Sequence, residues 1–294
     1  LRAANGLGKP IALGGGAAAQ ASLGYAAPDG LFAAWSENNK TYWQVKAARL
    51  MPGRAGALKA GRAYPVESGK IEGDQSYPSV AALSAKKLVV AWEDRRAGHT
   101  RIFSGASHNG GARFAPPQQV NDATWRGQMG GFGRGTGVMR VALSPYGAGG
   151  AGGAVGVAAV WADKRDFLSG YDVYTAFTSG DQLSFGANEK SQDDFGNEIA
   201  QWHPAIGADR QGRVVVAWDD DRDGAPDIWL AWRGASGWSD NLAVPGASGP
   251  GVQSDPSIAL DAAGNLHLAW VEKADLSSPS RIRYVLGRWV DGDK

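Results

Sequence analysis

The segment Val214-Val-Val-Ala-Trp218-Asp-Asp220-Asp-Arg222 joins four apolar residues to a tryptophan, with an acid two positions later and an arginine after a further two. Five segments of the chain align on such a tryptophan: Leu31-Phe-Ala-Ala-Trp35, Leu88-Val-Val-Ala-Trp92, Val157-Ala-Ala-Val-Trp161, Val214-Val-Val-Ala-Trp218 and Leu266-His-Leu-Ala-Trp270. The successive tryptophans are 57, 69, 57 and 52 residues apart. A period of this length indicates a repeat architecture in which neighbouring units bury one another's apolar faces.

Each repeat contains further short apolar runs that are separated by polar or glycine-rich turns. The runs that follow the tryptophans are Thr41-Tyr-Trp-Gln-Val45, Arg101-Ile-Phe-Ser104, Asp172-Val-Tyr-Thr175, Asp227-Ile-Trp-Leu230 and Arg281-Ile-Arg-Tyr-Val285. Four short strands per repeat are typical of a propeller blade. The sequence therefore predicts an all-β, five-bladed β-propeller. Six blades are also consistent with it if the 69-residue interval, which contains Gly127–Gly137, holds a further unit.

The two ends of the chain predict how the ring closes. The last repeat ends near Trp289 without a recognisable fourth strand, and the run Lys9-Pro-Ile-Ala-Leu13 near the other end has no partner in its own repeat. Pairing this run with the last blade would remove two open sheet edges. We therefore expect residues 1–294 to form one propeller domain that is closed by its N-terminal strand.

The composition excludes several classes of protein. The chain has 294 residues, 43 of them glycine and 12 tryptophan, and it has no cysteine, which excludes disulfide scaffolds, cysteine nucleophiles and cysteine-ligated metals. A formal net charge of +1 provides no overall field for nucleic acid. No apolar run is long enough for a transmembrane helix.

The turn Ser107-His-Asn109-Gly-Gly111-Ala-Arg-Phe114 resembles the Asp box of sialidase-like (BNR) propeller repeats, with Asn for Asp and Phe for Trp. The segment Thr178-Ser-Gly-Asp-Gln-Leu-Ser-Phe185 is a weaker match. The Trp-x-Asp-x-Arg turns are similar to repeats of bacterial secreted propellers. These resemblances imply a propeller over almost the whole chain and a periplasmic or cell-surface location, but a fold does not specify an activity.

The catalytic residues that the resemblance implies are incomplete. Sialidase chemistry needs three arginines that hold a carboxylate, and Arg140 is the one arginine found at the start of an inner strand. Five-bladed glycosidases need three carboxylates on inner strands, for which Asp74 and Asp255 are the available candidates. We therefore assign no catalytic residue and favour a non-enzymatic protein.

The varied residues at the starts of the first strands predict a binding face. In a propeller these positions surround one mouth of the central channel, and here they are Tyr77, Arg140, Trp202, His203 and Asp255. Such side chains suit stacking on sugars or anchoring a protein. Packing that plugs the channel is the alternative. The acids and arginines of the Trp-x-Asp-x-Arg turns recur from blade to blade, so we interpret them as structural.

The acidic segment Asp219-Asp-Asp221-Arg-Asp223-Gly224-Ala-Pro-Asp227 resembles the calcium loop of integrin-type propellers. Alternate carboxylates in a tight loop can converge on one hard cation. We expect Ca²⁺ to be bound by Asp219, Asp221, Asp223 and Asp227.

Together these patterns predict an exported, non-enzymatic propeller that binds a protein through its channel-mouth face, as a scaffold or as a subunit of an envelope complex. The alternative is a carbohydrate-binding or carbohydrate-active protein, such as a sialidase-like glycosidase, with a glycan as its ligand.

Overall fold

The computed structural model of the protein describes residues 10–53, 57–122, 137–147, 156–165, 170–193, 199–234 and 236–289. These residues form five antiparallel β-sheets and no helix. Within each sheet, the first three strands pair in the order in which the chain makes them, and the short outer strands pair with the third. Each sheet therefore corresponds to one repeat of the sequence, and we number the sheets as blades one to five.

The blades consist of the following strands. Blade one contains β1 (Ala18–Ala26), β2 (Gly30–Asn38), β3 (Trp43–Pro52) and two short strands that both pair with β3, β4 (Leu58–Ala60) and β5 (Tyr64–Pro65). Blade two contains β6 (Gln75–Ala82), β7 (Leu88–Asp94), β8 (Arg101–Ser107) and β9 (Gln118–Gln119). Blade three contains β10 (Val138–Tyr146), β11 (Gly156–Asp163), β12 (Asp172–Ser179), β13 (Ser184–Phe185) and β14 (Glu189–Lys190). Blade four contains β15 (Gln201–Ala208), β16 (Val214–Asp220), β17 (Asp227–Gly234), β18 (Gly237–Trp238) and β19 (Leu242–Ala243). Blade five contains β20 (Val252–Leu260), β21 (Leu266–Lys273) and β22 (Arg281–Gly287).

The second strands of the three middle blades are buried on both faces. Every residue of β7, β11 and β16 is buried. Because successive side chains of a strand point to opposite faces, complete burial requires a neighbour on each side. The apolar clusters supply these neighbours: one joins Phe32 of blade one to Leu88 and Trp92 of blade two. Corresponding clusters join blades two and three, three and four, and four and five.

The first strand of each blade lines a central channel. One end of the channel opens into a cavity that is lined by residues of β1, β6, β10, β15 and β20, and the same five strands line the cavity at the other end. Five sheets that are arranged in sequence around one channel, with successive blades one to five packed face to face, form a five-bladed β-propeller. The predicted fold class and the blade number are therefore confirmed for the part of the chain that is described.

The Trp-x-Asp turns of blades two, three and four are held by a repeated hydrogen bond. The buried indole Nε1 donates to the carboxylate two residues later, at 2.9 Å from Trp92 to Asp94, 2.9 Å from Trp161 to Asp163 and 3.0 Å from Trp218 to Asp220. These carboxylates are themselves almost fully buried. A buried carboxylate is stable only when hydrogen bonds or charges satisfy it, so the indole is part of what keeps the acid in the core.

An arginine completes each of these turns. Arg96, Arg165 and Arg222 approach the acids Asp94, Asp163 and Asp220 to 2.6, 2.7 and 2.6 Å. The same guanidinium groups lie 4.3, 3.7 and 4.1 Å from the ring centroids of Phe103, Tyr174 and Trp229. Each also reaches an acid in the segment that precedes its blade: Glu67, Asp122 and Asp193, at 2.6, 2.8 and 3.6 Å. The geometry supports the structural interpretation of these turns, since each arginine ties its blade to the segment leading into it.

Blades one and five depart from this pattern. In blade one, Trp35 donates to Glu37 at 3.1 Å, and Lys46 takes the place of the arginine. In blade five, the buried indole nitrogen of Trp270 has no hydrogen-bond partner among the described residues, while Glu272 lies 3.6 Å from Arg283.

The predicted closure by the N-terminal run is wrong for the residues that are described. Residues 10–13 form no strand, and the sheet of blade five has three strands, all from residues 252–287. Lys9 lies outside the described residues. Leu13 packs on the cluster that contains Trp35, and a Cβ added at Gly14 would lie 3.1 Å from the Trp35 Nε1. The N-terminal run therefore covers the tryptophan that, in later blades, is covered by the preceding blade.

The junction between blades five and one also differs from the others. Ile282 and Tyr284 on the outward face of blade five are 73% and 60% exposed. Leu23 and Tyr25 on the facing side of blade one are 66% and 58% exposed. No apolar cluster of the described residues joins these two blades.

We predict that the indole–acid hydrogen bond contributes to stability separately from packing. Trp218→Phe removes both ring volume and the donor to Asp220, whereas Trp270→Phe removes ring volume alone. Loss of one partner of a buried hydrogen bond costs about 1–3 kcal/mol. The free energy of unfolding, measured by urea denaturation, should therefore fall further in Trp218→Phe, by about that amount. Equal losses in the two variants would contradict the prediction.

Candidate functional site

A β-bulge interrupts the first strand of every blade at the same place. The pairing with the second strand shifts register after Ala19, Ser76, Met139, Trp202 and Ser254. The residue that follows each shift has a positive φ: 57° at Gln20, 50° at Tyr77, 61° at Arg140, 47° at His203 and 53° at Asp255. Non-glycine residues in this region are strained by about 1–3 kcal/mol each and occur often at functional sites. A β-bulge also changes the direction in which a side chain points.

The bulge residues surround one mouth of the channel. They line a cavity of about 320 Å³, together with the residue that follows each of them: Ala21, Pro78, Val141, Pro204 and Pro256. Four of the five predicted binding residues, Tyr77, Arg140, His203 and Asp255, are therefore brought together. We call this cavity the mouth pocket.

Trp202 does not line the mouth pocket. It lies one residue before the bulge and packs against Tyr171, with the ring centroids 4.8 Å apart. Gln20 occupies the equivalent bulge in blade one and was missed by the sequence analysis. The spacing in the repeat could have identified Gln20. Each bulge residue lies three positions before an apolar residue of its first strand, as in the pairs Gln20 and Leu23, Tyr77 and Val80, His203 and Ile206, and Asp255 and Ile258.

The backbone amides of three bulges are held by side chains of the preceding blade. Gln20 Oε1 accepts from Tyr77 N at 2.8 Å. Glu93 Oε1 accepts from Arg140 N at 2.8 Å, and Asp219 Oδ1 accepts from Asp255 N at 3.2 Å. Glu93 and Asp219 both directly follow the tryptophan of their blade. Burial raises the pKa of Glu93, while its hydrogen bond from Arg140 N acts in the opposite direction.

His203 lies between two carboxylates. Its Nδ1 donates to the buried Asp219, at 2.9 and 3.1 Å from the two carboxylate oxygens. Its Nε2 faces the half-exposed Asp255 at 3.7 Å. The hydrogen bond to Asp219 raises the pKa of His203 above 6.5, and the charges of Asp219 and Asp255 add to this effect against burial and Arg140. Asp219 thus orients His203 and supports Asp255 at the same time.

The remaining wall of the mouth pocket combines a cation with an aromatic ring. The Arg140 guanidinium lies 6.0 Å from the ring centroid of Tyr77, at the outer limit of a cation–π contact. Tyr77 is 47% exposed as a residue. The pocket therefore presents an aromatic face beside an amide, a guanidinium, an imidazole and a carboxylate.

The acidic loop of blade four does not assemble the predicted calcium ligands. Asp219 faces His203, whereas Asp227 accepts from Gly249 N at 3.0 Å. Asp221 has one buried oxygen without a hydrogen-bond partner. Its pKa is raised mainly by burial, and to a smaller extent by the negative charges of Asp219 and Asp220. Asp223 lies in the turn that follows. Among the described residues, no three acidic or histidine side chains lie close enough to hold a metal ion. The strand pairing sets Asp220 opposite Asp227, so Asp219, one residue earlier, points to the other face of the sheet from Asp227.

Asp74 and Asp255 do not converge on one pocket either. Asp74 Oδ1 accepts from Trp43 N at 2.9 Å, where β3 begins, and Asp74 does not line the mouth pocket. Asp255 is the carboxylate among the described residues that line the mouth pocket.

The turn that resembles an Asp box forms between β8 and β9. Ser107 Oγ accepts from Gly111 N at 3.0 Å, and Asn109 Oδ1 accepts from Arg113 N at 2.9 Å. Phe114 is buried in the junction of blades one and two. This turn is thus a structural element of the blade.

Comparisons with known proteins support the fold. No family model matches the chain, and no curated protein is similar to it in sequence. A protein of unknown function from Dyadobacter fermentans is similar in structure, with a TM-score of 0.59 and 12% identity over 91% of this chain and 78% of that one. An α-L-arabinanase from Penicillium chrysogenum, solved in complex with arabinobiose, has a TM-score of 0.51 and 11% identity over 91% and 93% of the two chains. At such identities the similarity shows the fold alone. No helix of the described residues is long and apolar enough to cross a membrane.

We predict that His203 makes the stability of the protein pH-dependent. Because its pKa is raised on folding, its stabilising contribution is complete below the unfolded value of 6.5 and is lost as the pH rises through the folded value. The melting temperature of the wild type should therefore fall, relative to that of His203→Gln, as the pH is raised above 6.5. In an Asp219→Asn background the difference should shrink. The prediction would be contradicted if the difference in melting temperature between the wild type and His203→Gln did not change with pH.

Proposed function

We propose that the mouth pocket binds a carbohydrate. The observation that carries this proposal is the ring of five left-handed bulge residues, which aims Gln20, Tyr77, Arg140, His203 and Asp255 into one cavity. Five strained residues at one place are maintained only where the surrounding structure holds them, and such strain is concentrated at ligand sites.

The chemistry of the lining suits a sugar. A sugar ring has an apolar face that can stack on an exposed aromatic such as Tyr77, and its hydroxyl groups both donate and accept hydrogen bonds. Asp255 can accept from hydroxyl groups, Arg140 can donate to them, and Gln20 can do both. A cavity of about 320 Å³ lies at the small end of ligand sites, which favours one or two sugar units.

The size of the mouth pocket favours a small ligand over a protein partner. A stable protein interface buries about 800 Å² on each side. A recessed pocket lined by five bulges and prolines provides polar groups for a small molecule rather than a broad apolar patch. This observation supports the carbohydrate-binding alternative over the scaffold function predicted from the sequence.

The first ligands to test are neutral pentose oligosaccharides. The arabinanase with a similar fold was solved with arabinobiose, and that observation motivates the choice of probe without implying its activity here. Cleavage by a glycosidase needs two carboxylates at a defined separation. Analysis of the sugar after incubation therefore distinguishes binding alone from hydrolysis.

We predict that Tyr77→Ala and Asp255→Asn each weaken sugar binding, measured by calorimetric titration with arabinose and xylose oligosaccharides. A hydrogen bond to a charged group contributes about 1.5–3 kcal/mol. Loss of the Asp255 charge should therefore raise the Kd roughly 10- to 100-fold. Tyr77→Ala should cost about tenfold, through lost stacking.

The matched control is Tyr25→Ala, which removes a similarly exposed tyrosine at the opposite mouth of the channel. It should bind as the wild type does. Equal binding by the wild type and both pocket variants, with all proteins folded, would place any sugar site elsewhere.

A further inference from the structure

Three bulge residues of consecutive blades place a cation between two groups that can transfer protons. Tyr77, Arg140 and His203 take the same position in blades two, three and four, and all three line the mouth pocket. The Arg140 guanidinium lies 6.0 Å from the Tyr77 ring centroid. It is also near enough to His203 to oppose the rise in the pKa of that imidazole, which the hydrogen bond to Asp219 causes. An anionic group bound by Arg140 would therefore lie between a phenol and an imidazole.

His203 has the surroundings of a general base. Because Asp219 accepts the proton on Nδ1 at 2.9 Å, Nε2 of the neutral ring carries the lone pair. No hydrogen bond to Nε2 is present among the described residues, and this atom lies 3.7 Å from Asp255 Oδ1. If Nε2 takes up a proton, the resulting charge is stabilised by a carboxylate on each side of the ring.

Tyr77 can serve as the matching general acid. Its backbone is held in place by Gln20 Oε1, which accepts from Tyr77 N at 2.8 Å. The residue is about half exposed, and its hydroxyl has no hydrogen-bond partner in the described part of the chain. A phenol in this setting can give its proton to an oxygen that leaves a substrate.

This set of residues suits the removal of a proton next to a carboxylate better than it suits hydrolysis. Glycosidases need two carboxylates beside the scissile bond, and Asp255 is the one carboxylate among the described residues that line the pocket. Removal of a proton next to a carboxylate needs a cation for the charge that develops there, a base for the proton and an acid for the leaving group. Hexuronic acids carry a carboxylate on C5, and in 4-linked chains the glycosidic oxygen on C4 is the leaving group.

We propose that the mouth pocket catalyses β-elimination within 4-linked oligosaccharides of hexuronic acids, with Arg140 binding the carboxylate, His203 as the general base and Tyr77 as the general acid. This proposal rests on the proposed function, since the sugar must first bind in the same pocket. It goes further by naming an acidic sugar as the substrate and elimination as the reaction.

The step conserves atoms and electrons without a further reactant. His203 Nε2 removes the proton from C5, and the electron pair of that C–H bond forms a double bond between C4 and C5. The bond from C4 to the glycosidic oxygen breaks, and this oxygen takes the proton of the Tyr77 hydroxyl. The products are an unsaturated uronate and a sugar with a free hydroxyl group, and the imidazolium returns its proton to the phenolate through solvent.

The first test incubates the protein with 4-linked oligosaccharides of galacturonic, mannuronic, guluronic or glucuronic acid. The new double bond is conjugated with the carboxylate, so ultraviolet absorbance should rise with at least one of the four, and the carboxyl-reduced form of that oligosaccharide should not be cleaved. No rise with any of them would overturn the elimination. Calorimetric titration then separates the two proposals: binding of a sugar keeps the carbohydrate site, whereas no binding of these or of the neutral pentose oligosaccharides contradicts that site as well.

Variants of the pocket assign the roles. Tyr77→Phe keeps the aromatic ring, so it should bind as the wild type does but react at least about 100-fold more slowly, since a positioned acid or base contributes roughly 10²–10⁴-fold. His203→Gln should slow the reaction by a similar factor. Arg140→Gln should raise the Kd for uronates more than that for neutral oligosaccharides. Tyr25→Phe, at the opposite mouth, is the matched control and should react as the wild type does.

The dependence of the rate on pH tests Asp219 as a positioning residue. The rate should rise with pH as His203 loses its proton, under the influence of Asp219, Asp255 and Arg140. Because the hydrogen bond to Asp219 raises the pKa of His203, Asp219→Asn should move this rise to lower pH. Melting temperatures confirm that each variant is folded. A rate that rises at the same pH in Asp219→Asn, or that survives His203→Gln, would overturn the assignment of His203 as the base.

Discussion

The hydrogen bond from a buried indole to the acid two residues later is the interaction on which the middle of the propeller depends. It allows a carboxylate such as Asp220 to sit almost fully buried at the end of a second strand, beside an arginine that also reaches the preceding segment. A buried acid without such partners would be costly. Because the tryptophan ring fills the junction with the preceding blade, the same residue satisfies the acid and packs the core. The hydrogen bond that holds the turn and the packing between neighbouring blades therefore depend on the same tryptophan.

The mouth pocket is built on this frame. The residue that follows the tryptophan, Glu93 in blade two and Asp219 in blade four, holds the bulge amide of the next blade. The conformation of a pocket residue in one blade is thus supported by a buried acid in the blade before it. Asp219 has a second role, since it also orients the ring of His203 through a hydrogen bond. The strained backbone at the pocket is therefore held by buried acids of the preceding blades.

The ends of the ring are less regular than its middle. Trp270 in blade five has no partner for its indole nitrogen, and β22 has one paired edge among the described residues. Blade one depends on Lys46 and on the segment around Leu13 in place of an arginine and a preceding blade. These two blades expose Leu23, Tyr25, Ile282 and Tyr284, which interior blades bury at equivalent faces. The places where the repeat is incomplete are where the surface is most apolar.

The tryptophan repeat was enough to predict an all-β propeller and the structural role of its turns, but it left five and six blades open until the five sheets were seen. The tryptophan period and the alternation of apolar runs with turns are local patterns, and a blade cannot bury both of its faces without neighbours. The sequence also pointed to Tyr77, Arg140, His203 and Asp255, because they vary at one position of a constant repeat. The same spacing would have added Gln20, whereas the exclusion of Trp202 required the tertiary structure, since the bulge decides which side chain faces the channel. It also turned Asp219 and Asp227 to opposite faces of one sheet, where they have different partners, since Asp220 is the residue paired with Asp227. Spacing along a chain cannot specify which of two neighbouring carboxylates faces a cavity, because that depends on the register of strands that other blades hold in place.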